Sequence, residues 1–381
     1  MPAEQHADRA DARTTTGLQK CPDCGAKVSR RAEACPHCGC PLKGSAATSE
    51  QPRSVEITHG NMASMTLINV ALADAQAGQV RLVADPLSHI MGQVSDLNVP
   101  VLCGQTLVLM EKFDPRRAWH LIADEGVTHV AGSPLMFKLL LDHAKNVDEM
   151  RVRRTLRLCG TGTAPLPPAW SDEFEARFGT PLLPGYGATE TTSAVSWNCP
   201  SDRLKAESVG RPIPGVQVRI MGERGMPLSA GEHGEIVVRG PGVMKGYLNR
   251  REATNAALDG GWYRTGDVGF VDDEGYLHWI GRIDDMIVRR TGTNISPAEI
   301  ERVLLSHPAI VQAAVVCVGD PKGGKRVVAL VVPKPNHCVD EQSVRRWLSY
   351  QLPDDLMPDD VQFRAALPTT EIGEIAKHLV R

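Results

Sequence analysis

The chain has 381 residues, of which 42% are hydrophobic and 23% charged, and its formal net charge is −3. This length predicts two or three domains with a sizeable core, and the small net charge gives no electrostatic reason to expect nucleic acid or an anionic membrane as a partner. No apolar run approaches the length of about 18 residues that spans a membrane, and no signal-peptide core stands at the N-terminus. The cytoplasm is the expected location, and residues 1–20, which are polar, are predicted to form a disordered tail.

Residues 21–42 contain two copies of a C-P-x-C-G unit, the first with Cys21 and Cys24 and the second with Cys35 and Cys38. The glycine of each unit can take the left-handed conformation that lets backbone amides face the sulfurs. Two such units joined by a short hairpin can place four thiolates tetrahedrally around Zn²⁺. We therefore predict a zinc ribbon, while a redox pair, two disulfides and an iron site are the alternatives.

From residue 55 onward, short apolar runs alternate with amphipathic segments. Strands are predicted at 80–84, 106–109 and 127–131, and helices at 116–125 and 134–144. This alternation is typical of α/β organisation with a largely parallel sheet. A glycine-rich loop follows the apolar strand near residue 158, which by itself is weak evidence for a nucleotide site.

A β-hairpin is predicted between residues 263 and 282. Two strand-like runs, 263–271 and 276–280, flank a D-D-E-G turn. The hairpin would bring Asp267 and Arg282 to the same end. A carboxylate can accept both hydroxyls of a ribose diol while a guanidinium supplies fixed donors beside it, and a surface ion pair is the alternative.

Residues 285–381 are predicted to form a small α+β domain. The sequence S-P-A-E at 296–299 is typical of a capping box with proline at the first helical position, so a helix should start there and end before Pro308. Strands at 310–318 and 326–332 and a helix near 341–350 should follow.

Two motifs resemble those of the AMP-forming acyl- and aryl-CoA synthetases, which are adenylate-forming enzymes. One reads Y-R-T-G-D at 263–267 and continues to G-R-I-D-D at 281–285, and the other reads G-Y-G-A-T-E-T at 185–191. The resemblance extends at varying strength from about Val55 to Arg381. It implies a partial AMP-binding large domain at 55–284, a C-terminal domain at 285–381, and the conversion of a carboxylate through acyl-AMP to an acyl-thioester.

The resemblance also carries the family's nucleotide contacts to individual residues of this chain. They are Gly162, Thr163, Ala164, Tyr186, Gly187, Thr189, Glu190, Asp267 and Arg282. Tyr186 would stack on adenine, Thr189 would donate to a phosphate and Glu190 would hold Mg²⁺, which suits an aromatic face, a hydroxyl and a hard carboxylate. Asp284 would be the hinge between the domains, and His89 would stand at the wall of the acyl pocket. AMP or acyl-AMP with Mg²⁺, and CoA, are the implied ligands, and a turn that has kept its shape without its ligand is the alternative.

The sequence departs from the family pattern in its first part. Residues 43–54 align with a glycine-rich phosphate loop, but Ala47, Glu50 and Ser54 stand at the glycine positions and Arg53 at the lysine position. Since such a loop needs glycines for its amides to approach an anion, this segment is either a degraded phosphate loop or a linker. The part of the large domain that precedes this loop in the family has no counterpart. We therefore expect unpaired sheet edges or an uncovered apolar face, and a protein partner that covers it.

The end of the chain departs as well, because Glu374 occupies the lysine position of the family motif L-P-x-T-x-x-G-K-I. Losing one preorganised donor typically costs about 10² to 10³ in rate, and a carboxylate about 4 Å from a phosphate adds roughly 4 kcal/mol of repulsion at an effective dielectric near 20. Lys377 lies one helical turn away and is a poor substitute. The glycine turn at 289–294 is one residue longer than the family form, which puts the guidance of CoA in doubt.

These departures favour a family member that cannot adenylate by itself and at most binds acyl-AMP or forms the thioester. The alternatives are a non-catalytic regulator or assembly protein that carries a zinc ribbon, and a truncated product without function.

Overall fold

The computed structural model describes residues 18–20, 27–29, 53–200, 204–205, 207–223, 225–288, 294–319, 325–335, 337–370 and 374–380. The first 17 residues of the predicted tail, the four ribbon cysteines, residues 43–52 and the turn at 289–293 lie outside these ranges. Strand β1 (Leu18–Lys20) pairs antiparallel with β2 (Lys27–Ser29). These two strands stand on either side of the first C-P-x-C-G unit.

The larger part of the molecule is built on a seven-stranded sheet. Its strands are β4 (Val80–Val83), β5 (Thr106–Leu109), β6 (His129–Gly132), β7 (Leu158–Thr161), β8 (Leu182–Ala188), β9 (Ser193–Trp197) and β10 (Arg211–Pro212). They lie in the order β10-β9-β8-β7-β6-β4-β5. Strands β4 to β8 run parallel, whereas β9 and β10 are antiparallel at one end. This arrangement confirms the predicted α/β organisation with a largely parallel sheet.

Helices pack against this sheet. They are α1 (His59–Leu72), a π-helical segment (Gly92–Asn98) that continues into α2 (Val99–Cys103), α3 (Pro115–Asp124), α4 (Pro134–Asp142), α5 (Glu149–Thr155) and α6 (Pro168–Phe178). Local chemistry explains where several of them begin. The side chains of Thr58, Asp114 and Ser133 each accept a hydrogen bond from a backbone amide of the first turn, and proline stands in the first turn of both α3 and α4.

The two faces of β4 meet different surroundings, because successive side chains of a strand point to opposite sides. Leu82 is fully buried in an apolar core that includes the stacked rings of Trp119 and Phe174. On the other face, Arg81 pairs with Asp96 of the π-helical segment, with Arg81 Nη1 3.2 Å from Asp96 Oδ1. Both of these side chains are almost completely buried.

A second sheet carries the predicted hairpin. Its strands are β11 (Gln217–Met221), β12 (Gly234–Arg239), β14 (Leu258–Asp259), β15 (Trp262–Val271) and β16 (Leu277–Arg282). A separate two-stranded sheet pairs β3 (Val55–Glu56) with β13 (Gly246–Tyr247). Helix α7 (Arg251–Ala257) follows β13 in the chain. The turn between β15 and β16 is closed by Asp272, whose Oδ1 accepts from the amides of Glu274 and Tyr276 at 2.9 and 3.0 Å. The hairpin prediction is confirmed.

The C-terminal part is a smaller α+β unit. Its elements are β17 (Ile287–Val288), β18 (Asn294–Ile295), α8 (Pro297–Leu305), β19 (Ile310–Gly319), β20 (Lys325–Pro333), α9 (Glu341–Ser349) and β21 (Asp360–Phe363). Strand β20 pairs antiparallel with β19 and parallel with β21. The predicted helices and strands are confirmed here to within a few residues.

The predicted capping box at the start of α8 is wrong. The Ser296 side chain accepts no hydrogen bond from the first turn of the helix. Its hydroxyl instead donates to the Ile280 carbonyl oxygen at 2.7 Å. Because Ser296 is 2% exposed, its hydroxyl needs a buried partner, and the β16 carbonyl supplies one. Ser296 therefore ties the C-terminal unit to the hairpin.

Several apolar side chains of the larger unit are exposed. Leu67 of α1, Val101 and Leu102 of α2, and Leu109 of the end strand β5 are 57% to 69% exposed. Helices α1 and α2 contact each other, and neither contains a charged residue. We refer to these residues as the α1–α2–β5 surface, and the uncovered apolar face stays a prediction. None of the described helices is long and apolar enough to cross a lipid bilayer.

Candidate functional site

The hairpin of β15 and β16 positions two ionic side chains. Asp267 and Arg282 are direct partners across the strands, and Arg282 Nη1 lies 3.2 Å from Asp267 Oδ1. The same nitrogen donates to the Thr265 carbonyl oxygen at 2.9 Å. Gly266 lies between Thr265 and Asp267 in sequence and has a φ of +69°. A Cβ there would come within 3.2 Å of the Arg282 guanidinium, so glycine suits this position. The structure brings the two charges together, as the hairpin pattern predicts.

Tyr186 joins this pair from the other sheet. It lies on β8, and its hydroxyl donates to Asp267 Oδ2 at 2.6 Å. Burial raises the pKa of Tyr186 well above its ordinary value, and the neighbouring Asp267 carboxylate adds to the rise. Burial also raises the pKa of Asp267, although Arg282 and Tyr186 oppose that rise. The result is a carboxylate that is only 6% exposed and held between a guanidinium and a phenol.

Two loops beside Tyr186 have unusual backbone conformations. Thr163 has a φ of +71°, and Thr192 and Ser193 have φ values of +51° and +87°. Residues other than glycine seldom adopt such values, and where they do they often mark a functional site. Gly187 lies in the same region, and a Cβ there would come within 2.0 Å of the Ser193 carbonyl oxygen. Both glycine-rich motifs therefore form tight loops next to the tyrosine.

Glu190, the proposed Mg²⁺ ligand, has a partner that the sequence did not reveal. Its carboxylate accepts a hydrogen bond from the Tyr247 hydroxyl, with Oε1 2.9 Å from the phenol oxygen. Burial raises the pKa of Tyr247, and the Glu190 charge adds to that rise. Tyr247 lies on β13, 57 residues away in sequence, so no local pattern could have indicated this contact. Among the described residues, no group of three or more His, Cys, Asp or Glu side chains could hold a metal ion by itself.

Most of the predicted site residues line one cavity of about 1710 Å³ between the sheets and the C-terminal unit. Those that line it are Gly162, Thr163, Ala164, Tyr186, Gly187, Thr189, Asp267, Arg282 and His89. Glu190 follows Thr189 but does not line the cavity itself. Asp284, the predicted hinge, is the middle residue of a 3₁₀ turn (Ile283–Asp285). Its two neighbours in that turn, Ile283 and Asp285, line the cavity. The structure thus gathers side chains that the chain spreads over almost 200 residues.

The C-terminal segment contributes Glu374 and Lys377 to the same cavity. Burial raises the pKa of Glu374. Lys377 Nζ lies 2.7 Å from Glu301 Oε1, and that oxygen also accepts from the Val315 amide at 2.6 Å. Glu301 is 8% exposed, so it needs the lysine as a counter-ion. This pairing supports the prediction that Lys377 is a poor substitute for the lysine missing at 374.

These features match a known family. The sequence model of the AMP-binding enzyme family matches residues 48–248. The sequence model of the AMP-binding enzyme C-terminal domain matches residues 299–374. Feruloyl-CoA synthase from Amycolatopsis sp. is 36% identical over 348 residues, which are 90% of this chain and 69% of that protein. The chain therefore belongs to the AMP-binding enzyme family, whose matched relatives include CoA ligases.

Solved structures agree with this assignment. ATP-bound MatB from Rhodopseudomonas palustris has a TM-score of 0.81 at 31% identity, covering 87% of this chain and 65% of that one. O-succinylbenzoate-CoA synthetase from Bacillus subtilis, in complex with its acyl-adenylate intermediate, has a TM-score of 0.78 at 31% identity, covering 88% and 68%. The same enzyme has also been solved with ATP and a magnesium ion. The chain thus spans about two thirds of the length of the relatives that it matches.

Proposed function

We propose that the protein binds AMP or an acyl-adenylate in this cavity, with the ribose at Asp267. The observation that carries the proposal is the group formed by Asp267, Arg282 and Tyr186. A buried carboxylate with donors on both sides is oriented before the ligand arrives, and it can accept the two hydroxyls of a ribose diol. Tyr186 would offer its ring to the base, as the family motif implies. The relatives solved with an acyl-adenylate or with ATP support this assignment.

Mg²⁺ would accompany the nucleotide at Glu190. Mg²⁺ is usually held by one or two carboxylates together with substrate phosphates and water. One glutamate that follows a cavity-lining threonine fits such a partial donor set, and the hydrogen bond from Tyr247 would orient its carboxylate. When bound, the ion would offset the negative charge of the phosphates.

We propose further that the chain does not form the adenylate by itself but passes the acyl group of a preformed acyl-AMP to an acceptor such as the CoA thiol. Glu374 stands where the family has its lysine, and Lys377 is held by Glu301. The names of the relatives support ligase chemistry at the level of the family. The same two observations favour the second candidate, a nucleotide-binding regulator without catalysis.

Two further proposals concern the N-terminal part of the chain and the apolar face. The pairing of β1 with β2 brings together the two ends of the segment that contains Cys21 and Cys24, which supports a zinc ribbon completed by Cys35 and Cys38. The exposed side chains of the α1–α2–β5 surface support a polypeptide partner, because an end strand and uncharged helices can be covered by an added strand and apolar side chains. The cytoplasmic location stays a prediction.

Calorimetry with AMP and with a non-hydrolysable acyl-AMP mimic tests nucleotide binding. We expect saturable binding of both to the folded chain, and an absence of heat from both would refute the proposed site. A second assay supplies preformed acyl-AMP with CoA and follows the release of AMP. If binding persists but no AMP is released with any acceptor, the regulator is the correct alternative.

A further inference from the structure

Glu374 lines the cavity, and its carboxylate forms no ion pair with a described residue. Its amide donates to Thr370 Oγ1 at 3.2 Å, and the Thr370 amide donates to the Glu374 carbonyl oxygen at 2.7 Å. These bonds use backbone groups and the threonine hydroxyl, so the Glu374 carboxylate is not needed for them. Lys377, which lines the same cavity, is paired with Glu301. A carboxylate that is partly removed from water and has no counter-ion among the residues that the structure describes attracts a cation from a ligand.

We propose that the acceptor in this cavity is a primary amine, and that Glu374 binds its ammonium group and takes a proton from it. This inference rests on the proposed function, because it needs an acyl-adenylate bound at Asp267. An ammonium ion between Glu374 and the adenylate phosphate would be attracted by both negative groups, and it would replace the charge that a lysine supplies in the family. A thiol attacks as the thiolate, and Glu374 would repel a thiolate. The charge at 374 therefore favours an amine over a thiol.

The proposed step is an aminolysis of the mixed anhydride. The ammonium group gives one proton to the Glu374 carboxylate, and the nitrogen lone pair then attacks the acyl carbon. A C–N bond forms, the C–O bond between the acyl carbon and the phosphate oxygen breaks, and the electron pair leaves with AMP. The second nitrogen proton goes to solvent, so the products are an amide and AMP, and nothing is oxidised or reduced. Burial raises the pKa of Glu374, which makes it a stronger base than an exposed glutamate.

The test supplies the full chain with benzoyl-, cinnamoyl- or hexanoyl-AMP and offers butylamine, CoA or hydroxylamine at equal concentration. Amide, thioester, hydroxamate and AMP are measured by liquid chromatography and mass spectrometry. We expect butylamide to form at least tenfold faster than thioester. Glu374→Gln should slow butylamide formation about 100-fold, the low end for general-base catalysis. Glu374→Gln should slow hydroxamate formation from hydroxylamine much less, because hydroxylamine is mostly uncharged at neutral pH.

A matched control is Glu252→Gln, an exposed glutamate on α7 outside the cavity, which should leave all rates unchanged. Thioester without butylamide from the same adenylate would overturn the amine proposal and leave the proposed function standing. Binding of AMP without either product from any of the adenylates would also overturn it. Equal loss of the butylamine and hydroxylamine rates in Glu374→Gln would show that the residue only supports the fold. If AMP does not bind at all, the proposed function itself has failed.

Discussion

Replacing Asp267 by alanine tests the centre of the nucleotide site. Its Oδ1 lies 3.2 Å from Arg282 Nη1, and its Oδ2 accepts a hydrogen bond from the Tyr186 hydroxyl at 2.6 Å. The carboxylate is therefore fixed where a ribose diol can reach it. Hydrogen bonds to a charged group contribute about 1.5 to 3 kcal/mol. We therefore expect Asp267→Ala to weaken the binding of AMP by about 10- to 150-fold.

Isothermal titration calorimetry with AMP measures this loss, and thermal melting shows whether the variant remains folded. The replacement leaves the buried Tyr186 hydroxyl without its acceptor, which costs about 1 to 3 kcal/mol of stability. Tyr186→Phe removes the same hydrogen bond but keeps the ring and the carboxylate, so it should show a loss of stability with little loss of affinity. Asp273→Ala, at an exposed position in the turn of the same hairpin, should change neither.

A ribose site at Asp267 is refuted if folded Asp267→Ala binds AMP within about twofold of the unmodified chain, a difference of less than about 0.5 kcal/mol. An equal loss of affinity in Asp273→Ala would also refute it, because the effect would then belong to the hairpin as a whole. Loss of affinity in Asp267→Ala alone supports a ribose site.

Three other predictions concern adenylation, the pH dependence of stability and the zinc ribbon. Given a carboxylic acid, ATP and Mg²⁺, the chain should catalyse no measurable pyrophosphate exchange. Glu374→Lys should restore little of this exchange, because the phosphate-loop glycines are still missing. Strong exchange by the unmodified chain would contradict the prediction. Burial and the charge of Asp96 raise the pKa of Asp85 from 3.8 to about 7, so its contribution to stability is complete below pH 4 and is lost as the pH rises through 7. Urea unfolding at pH 5 and pH 8 should show this fall as about 2.7 kcal/mol, since about two pH units separate pH 5 from the folded pKa, and Asp85→Asn should remove most of it. Metal analysis should find about one zinc per chain, and replacing both Cys21 and Cys24 by serine should abolish it.

Much of the fold could be predicted because its signals are local. The D-D-E-G turn between two apolar runs specifies a hairpin, since turn residues and strand alternation act over a few neighbours. The alternation of apolar strands with amphipathic helices in the same way predicted a mostly parallel sheet. The hairpin pattern predicted that Asp267 and Arg282 lie at the same end, because the turn sets the register of the two strands it joins. Their direct pairing also requires the register shift between Val268 and Gly269, which the turn does not specify.

The helix start at Ser296 shows where local rules fail. The S-P-A-E pattern correctly predicted that α8 begins with Pro297, because proline suits the first turn whatever surrounds it. The expected cap was absent because the serine hydroxyl is buried against the Ile280 carbonyl oxygen. A tertiary contact of similar energy replaced the local one, and no pattern within the motif could show which would form.

The sequence by itself determined the secondary structure, the resemblance to the family and the types of residue available for a nucleotide site. Only the tertiary structure decided their partners. Tyr186 meets Asp267 across 81 residues, and Tyr247 meets Glu190 across 57. Likewise, Lys377 is close in sequence to Glu374, which occupies the family's lysine position, but the fold pairs Lys377 with Glu301. The physical reason is that a buried charge or hydroxyl takes whichever partner the packed chain brings within about 3 Å, and that choice depends on the whole fold.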